Sequence, residues 1–287
     1  MQIILVSSKT NLASMNMHKL LVSEYGFKEI KEKFDNNNVY EKHLGNYTFK
    51  LIQSNKGILE IGYVQDNFNP DLYIIISTHK SEAKTKSLSC HISGDWKKGV
   101  PSANPNVLRN VYLKLVEMKS KFNLNKYLVT LEVTHHEPYE LNAPSVWVEV
   151  GGSEEEWNDL VACKACCEAI MNVEYSDCFD ESFNDSSENN LPCAVGFGGP
   201  HYAPNFMKDY LLEKVAVGHI CSKHAIDGAS EEVILDAFLK SESKEGAKCI
   251  AIIDWKGTVS EQRKKLVDLF ESNGRKWKKV TDFKDDE

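Results

Sequence analysis

The sequence has no apolar run long enough to cross a membrane. Its longest apolar stretches, such as residues 72–76 and 249–253, are far shorter than the ~20 residues of a transmembrane helix. The N-terminal residues 1–6 also lack the basic leader and cleavage pattern of a secretory signal. We therefore expect a cytoplasmic protein that has no membrane partner.

The sequence has no surplus of basic residues either. Its 34 Lys and Arg are outnumbered by 42 Asp and Glu, and the net charge is −8. A protein that binds nucleic acid through general electrostatics usually carries excess positive charge, so that class is disfavoured. Local basic runs at residues 97–98, 263–265 and 275–279 can still supply phosphate contacts, or they can be ordinary solvated surfaces.

Disulfides are not expected, although the chain contains eight cysteines. A chain of this length does not need covalent cross-links, and no secretory signal is present. Cys163, Cys166 and Cys167 are clustered, but the second Cys or His pair of a zinc ribbon is missing. We expect these thiols to be buried on one face of a helix predicted over residues 153–173.

Short apolar strands alternate with helices along the chain, which favours an α/β fold with a mixed sheet flanked by helices. We expect one domain over residues 1–287, with an exposed acidic loop at 174–190 and a frayed charged tail at 282–287. The predicted strands are 2–6, 72–77, 127–133, 145–150, 193–197 and 249–254, and the predicted helices are 11–24, 104–121, 153–173 and 260–273.

Histidines are concentrated where predicted strands meet loops. Imidazole binds zinc and transfers protons near neutral pH, and strand ends are where α/β proteins collect reactive groups. Neighbouring side chains of an extended segment point to opposite faces, so His135 and His136 need not share a role. Glu137 follows them as a candidate carboxylate partner or general base, and Glu132 and Glu149 on the adjoining predicted strands are the alternatives. The candidate histidines are His79, His91, His135, His136, His201 and His219.

A glycine-rich turn is predicted at residues 196–204, between a strand and a helix. Gly198 and Gly199 allow the backbone to approach a ligand, and a following helix N-terminus favours an anion. The Gly-x-Gly-x-x-Gly spacing of dinucleotide-binding proteins is not met, and a tight turn without a ligand is the alternative.

Several motifs together resemble the archaeal and plant type of D-aminoacyl-tRNA deacylase. The resemblance spans nearly the whole chain and departs from the expected pattern at Glu137, Tyr139 and Pro200. The matching segments are residues 9–16, the turn at His79, and residues 91–96, 134–136, 152–157, 199–204, 218–220 and 254–257.

This resemblance implies a fold related to peptidyl-tRNA hydrolase and purine phosphorylase architectures. It also implies hydrolysis of the ester that joins a D-amino acid to tRNA, which is a chiral proofreading reaction. A zinc requirement follows from the resemblance, with as many as two ions per chain. Zinc held by imidazoles lowers the pKa of a bound water from about 15.7 to about 7.

On this reading, each candidate residue has an expected role. We expect a monomer with D-aminoacyl-tRNA as its partner and no protein partner. The predicted metal ligands are His135, His201 and His219. The predicted catalytic residues are His136, Glu137, His79 and His91. The residues predicted to contact substrate and tRNA are Lys9, Lys80, Gly198, Gly199, Asp254 and Lys256.

Three alternatives remain at this stage. A nucleosidase or phosphorylase on a similar fold would release a free base from nucleosides. A non-catalytic module would bind the tRNA acceptor end in a salt-sensitive manner without cleaving the ester. A deacylase without zinc would use the 2′-hydroxyl of the terminal ribose to assist cleavage.

Overall fold

The computed structural model describes residues 1–80, 82–175, 191–241 and 249–284. Within these ranges, no helix has the length and apolar character needed to cross a membrane. Residues 176–190 of the predicted acidic loop lie outside the described residues. Residues 285–287 of the predicted tail do so too. The chain divides into two compact units, Met1–Cys90 with Val111–Val129 and Glu140–Val173, and His91–Asn110 with Thr130–Tyr139 and Glu174–Glu287. A single domain over residues 1–287 stays a prediction.

An eight-stranded mixed sheet organises the first unit, in the order β2-β3-β4-β1-β5-β8-β6-β7. Strand β1 pairs in parallel with β4 and β5, and β5 pairs in parallel with β8, whereas β3 is antiparallel to β2 and β4. The strands are β1 (Gln2–Ser8), β2 (Lys28–Phe34), β3 (Asn37–Leu44), β4 (Tyr47–Ser54), β5 (Leu72–Lys80), β6 (Ser87–His91), β7 (Leu128–Leu131) and β8 (Ser145–Gly152).

Helices pack against this sheet and against one another. Helix α1 (Leu12–Glu24) begins at Asn11, whose side chain accepts a hydrogen bond from the Ser14 amide. It packs against α4 (Leu160–Asn172), which buries Cys163, Cys166 and Cys167 as predicted. Burial raises the pKa of each of these thiols, so they remain protonated core groups.

The single helix predicted over residues 153–173 is wrong, because the chain forms two helices there. Helix α3 (Glu154–Trp157) ends after one turn. Asp159 then starts α4 by accepting hydrogen bonds from the amides of Val161 and Ala162. A side-chain cap at Asp159 competes with continuation of the helix.

A four-stranded parallel sheet organises the second unit, in the order β10-β9-β11-β12. Its strands are β9 (Cys193–Phe197), β10 (Ala216–Cys221), β11 (Ile250–Ile253) and β12 (Trp277–Lys279). Helices α6 (Glu231–Leu239) and α7 (Ser260–Ser272) contribute Phe238 and Phe270 to a core that also contains Phe197. The remaining α-helices of the described residues are α2 (Pro105–Lys121) and the short α5 (Asp209–Leu212), and a 3-10 helix spans Ile58–Asp66. The predicted α/β class with a mixed sheet flanked by helices is confirmed.

Candidate active site in the second unit

Backbone pairing between distant segments builds the centre of the candidate site. The Val133 amide donates to the His201 carbonyl at 3.0 Å, and the Ala203 amide donates to the Leu131 carbonyl at 3.1 Å. An isolated antiparallel bridge joins Glu132 to Tyr202 between these two bonds. Glu132 and His201, 69 residues apart in sequence, are thereby held against each other.

A second backbone contact brings His91 to the same place. His91 is the last residue of β6, and Ser93 forms an isolated parallel bridge with His135. The Gly94 amide donates to the His136 carbonyl at 2.8 Å. The segments that carry His91, His135 and His136 therefore run side by side.

Three imidazole rings meet at this junction. The ring centroid of His91 is 4.5 Å from that of His135 and 4.8 Å from that of His136, and the last two are 4.4 Å apart. One nitrogen from each ring lies within 4.8 Å of the others, so the three side chains can hold a metal ion. All-imidazole sets of this kind are ligands that zinc accepts in catalytic sites.

Hydrogen bonds select the tautomers of two of these rings. His135 Nδ1 lies 2.7 Å from the Val133 carbonyl, and His136 Nδ1 lies 2.7 Å from the Glu137 carbonyl. A carbonyl oxygen only accepts, so each Nδ1 donates and each Nε2 keeps its lone pair in the neutral ring. A backbone carbonyl on the second nitrogen is a recurrent way to orient a metal-binding histidine.

Burial prepares His91 for the same role. Its ring is fully buried, and burial lowers the pKa of His91 well below the usual value, with a further lowering by neighbouring His135. The imidazole is therefore neutral at physiological pH, and a neutral ring is the form that binds metals.

A buried carboxylate forms the second part of the site. Glu132 has a fully buried side chain, and its Oε2 lies 3.0 Å from His201 Nε2 and 3.6 Å from His135 Nε2. The rings of His135 and His201 are 4.6 Å apart. Glu132, His135 and His201 therefore offer a second set of potential ligand atoms that shares His135 with the first.

A cavity of about 350 Å³ opens beside these side chains. Sequence reasoning named Glu132 only as an alternative carboxylate partner and did not pair it with His201, and it did not identify Ser222 or His224, which line the wall. In the sequence, Glu132 stands between apolar Leu131 and Val133 near the end of a predicted strand, and this pattern was the signal available for it. The cavity is lined by Gly94, Asp95, Trp96, Lys97, Val133, Thr134, His135, His136, His201, Ser222, His224 and Ala225.

Glu137 lies at the exposed end of the histidine segment. Its carboxylate is 3.5 Å from Lys98 Nζ, and the same ammonium is 5.5 Å from the centre of the Tyr139 ring. Lys98 is also 3.9 Å from Asp95. Glu137 and Tyr139, two of the positions that depart from the family pattern, therefore both lie close to Lys98. A catalytic role for Glu137 stays a prediction.

The glycine turn packs against another loop, which differs from the expected ligand cradle. Gly198 and Gly199 have φ values of 107° and 80°, which favour glycine. Their amides donate to the carbonyls of Cys221 and Gly257, so neither points to a ligand. The Asp254 carboxylate accepts from Asn205 Nδ2 and the Gly257 amide. Substrate contacts by Gly198, Gly199 and Asp254 stay predictions.

His219 lies inside strand β10 and not at a strand-to-loop junction. Its Nε2 donates to the Pro101 carbonyl at 2.9 Å, which leaves Nδ1 to accept from Thr134 Oγ1 at 3.1 Å. Thr134 Oγ1 in turn accepts from the Ile220 amide. Both ring nitrogens are used within the protein, and burial lowers the pKa of His219 to about 4. A role for His219 as a metal ligand stays untested, and the hydrogen bonds favour a structural role.

Replacing Thr134 with valine tests that structural role. We expect the free energy of unfolding to fall by ~2–4 kcal/mol, because His219 Nδ1 and the Ile220 amide lose a buried partner. Thr130→Val is a matched control, since its hydroxyl donates to the Leu131 carbonyl, which already accepts from the Ala203 amide. Urea unfolding of both variants measures the difference, and equal stability would contradict the structural role of Thr134.

The other predicted site residues are distributed over the two units. His79 lies near the end of β5 with its Nδ1 at 3.6 Å from Glu149 Oε2, both side chains being buried in the first unit. Lys9 and Lys80 are exposed residues of that unit, and Lys256 is exposed in the second unit. Their roles in catalysis and tRNA binding stay predictions.

Comparison with known proteins places the chain in a family. Residues 66–278 match the family model for D-aminoacyl-tRNA deacylase. A D-aminoacyl-tRNA deacylase of Thermococcus onnurineus is 32% identical, with 94% of this chain and 97% of the relative covered. One of Methanocaldococcus jannaschii is 30% identical over 98% and 100% of the two chains. A crystal structure described as a conserved protein of unknown function has a TM-score of 0.80 at 22% identity, covering 99% of this chain and 96% of the other. The resemblance predicted from the motifs is confirmed, and the chain belongs to the D-aminoacyl-tRNA deacylase family.

Proposed function

We propose that this protein hydrolyses the ester bond of D-aminoacyl-tRNA, releasing the D-amino acid and tRNA as a chiral proofreading step. The observation that carries the proposal is the cluster of His91, His135 and His136 beside the Glu132–His201 pair at a cavity, in a chain of this family. Ester hydrolysis needs a polarised carbonyl, an activated water and a proton for the leaving oxygen, and this set of side chains can serve all three needs.

Zinc is the metal that fits the donor set best. His91 is kept neutral by burial, and carbonyl oxygens orient His135 and His136 through Nδ1, so three nitrogen donors converge. When bound, zinc supplies Lewis acidity that polarises an ester carbonyl and acidifies water. One ion per chain at these three histidines leaves Glu132 and His201 to their hydrogen bond, and a second ion stays a prediction.

In this proposal, His201 moves the proton. The Glu132 carboxylate accepts from His201 Nε2 at 3.0 Å and so fixes the orientation of the ring. His201 side-chain exposure is 42%, which lets water and substrate reach it. It takes a proton from the attacking water, and the ribose oxygen of tRNA receives a proton as the acyl–oxygen bond breaks.

The cavity wall supports recognition of an aminoacyl group. Trp96, Val133 and Ala225 contribute apolar surface to a wall that also carries the polar histidines. An asymmetric wall of this kind distinguishes the two enantiomers at an α-carbon, because exchanging side chain and hydrogen places the bulky group against a different surface. The cavity volume of about 350 Å³ suits a small ligand such as an amino acid joined to a ribose.

The test is deacylation of D-tyrosyl-tRNA beside L-tyrosyl-tRNA by the purified protein, before and after chelation and zinc restoration. We expect cleavage of the D-ester only, lost on chelation and recovered with zinc. Cleavage indifferent to the chelator would retain the deacylase and remove the metal from the proposal. Absence of cleavage, together with release of free base from nucleosides, would favour a nucleosidase instead.

A further inference from the structure

We propose that Trp255, Trp277, Arg263 and Lys279 form a docking surface for single-stranded RNA, here called the tryptophan surface. The inference rests on the proposed function, because it assigns to this surface the unpaired 3′ end of the tRNA. It concerns side chains of the second unit that line neither the cavity nor the histidine cluster.

The tryptophan surface is built on the edge of the four-stranded sheet. Strand β12 is the last strand of that sheet and pairs only with β11 among the described residues. Side chains alternate along a strand, so Trp277 and Lys279 share one face. Trp255 follows β11 after Asp254 and meets both of them on that face.

The two indole rings are stacked in parallel. Their centroids are 5.9 Å apart and their planes differ by 9°. Both tryptophans are only partly buried, although indole is among the largest apolar side chains. Aromatic rings held rigid at a partly open surface are what an unpaired base needs for stacking.

Two cations lie against the Trp255 ring of this stack, in a protein of net charge −8. Lys279 Nζ lies 4.6 Å from the centre of the Trp255 ring, and Arg263 Cζ lies 5.0 Å from it. Lys256, the residue after Trp255, is also exposed. Interleaved aromatic and basic side chains match the bases and phosphates of RNA, whereas an acidic protein partner would gain little from the stacked indoles.

Hydrogen bonds connect the tryptophan surface to the candidate active site. Asp254, next to Trp255, accepts from Asn205 Nδ2 at 2.9 Å. The Gly199 amide donates to the Gly257 carbonyl at 3.1 Å. A Cβ added to Gly257 would lie 2.7 Å from the Gly199 nitrogen, so the two loops are in close contact. Because His201 follows Gly199 by two residues, an RNA end on the tryptophan surface is positioned by the same loop that carries His201.

Binding of fluorescein-labelled uncharged tRNA measures the surface independently of catalysis. We expect Trp277→Ala to weaken tRNA binding roughly tenfold, which is the effect of removing one stacked base contact. Trp277→Phe should retain most of the affinity of the unaltered protein, because phenylalanine can still stack on a base. Lys279→Ala should reduce the dependence of log affinity on log salt by roughly 0.7–0.9, the contribution of one phosphate contact. Lys126→Ala removes an exposed lysine of the first unit and serves as the charge-matched control.

Hydrolysis of a small ester, D-tyrosyl-adenosine, separates docking from chemistry. The docking proposal expects the Trp277 and Lys279 variants to cleave this ester like the unaltered protein while KM for D-tyrosyl-tRNA rises about tenfold. Unchanged tRNA binding by both variants would overturn the docking surface, as would a parallel loss of small-ester cleavage that phenylalanine does not rescue. Failure of the unaltered protein to cleave either ester would refute the proposed function, and the binding measurement would still decide whether RNA docks here.

Discussion

Replacing His135 with alanine should abolish deacylation while leaving the protein folded. His135 belongs to both sets of candidate ligand atoms, and its ring is the neighbour of His91, His136 and His201. Without it, the three-nitrogen set loses a donor, and bound zinc per chain should fall with the activity. Its side chain is 28% exposed, so we expect the free energy of unfolding to change by less than about 1 kcal/mol.

The measurement has three parts: turnover of D-tyrosyl-tRNA, zinc content by mass spectrometry, and the circular dichroism spectrum. His43→Ala is the matched control, because His43 is an exposed histidine of the first unit that pairs with Glu41 at 3.1 Å. Turnover retained by His135→Ala would remove this residue from the catalytic set. Loss of turnover with unchanged zinc content would show that His135 acts on the substrate and not on the metal.

Replacing Glu132 with glutamine should lower kcat for the D-ester by roughly 10- to 100-fold, the usual effect of removing a partner that orients a reactive imidazole. Glutamine keeps the shape of the buried side chain but loses the carboxylate that accepts from His201 Nε2 and lies 3.6 Å from His135. A neutral amide can also present its NH₂ to the ring, which would turn His201 into the opposite tautomer.

The effect should appear in kcat more than in KM, because Glu132 orients the proton carrier and has no exposed surface of its own. Glu41→Gln is the matched control, since it changes a carboxylate–imidazole pair of the first unit in the same chemical way. Steady-state kinetics and a thermal unfolding curve are the measurements. Equal kcat for the Glu132 variant and the unaltered protein would contradict the role assigned to His201.

The predicted strands and helices were mostly confirmed where hydrophobic patterning is strong. Strand β9 has the predicted bounds, and α2 and α7 differ from prediction only by one residue at an end. The strands β2, β3 and β4 were not predicted. Strands β2 and β3 are rich in Lys, Glu and Asn and bury only Phe34 and Val39, whereas β4 buries four of its eight residues. Pairing in the sheet stabilises such polar strands, and a local pattern cannot report pairing with a distant strand.

In the candidate site, too, the sequence indicated some of the residues and not others. The histidine pair and His201 stood out in the sequence because polar residues follow apolar strands there. Glu132 was predicted only as an alternative carboxylate partner, because a carboxylate inside a strand usually faces solvent, and its pairing with His201 depends on the bridge between Glu132 and Tyr202. His219 stood out for the same reason as the others, yet its two hydrogen bonds to Pro101 and Thr134 favour a structural role, and its role as a metal ligand stays a prediction.

The sequence by itself determined the family, the α/β class and the imidazole-rich chemistry, since these depend on residue types and local periodicity. Tertiary structure alone decided which atoms meet. His91, Glu132 and His201 come from segments 41 and 69 residues apart, and bridges of one residue pair each bring them together. Spacing along the chain contains no information about such contacts, because a loop of almost any length can close at little extra entropic cost.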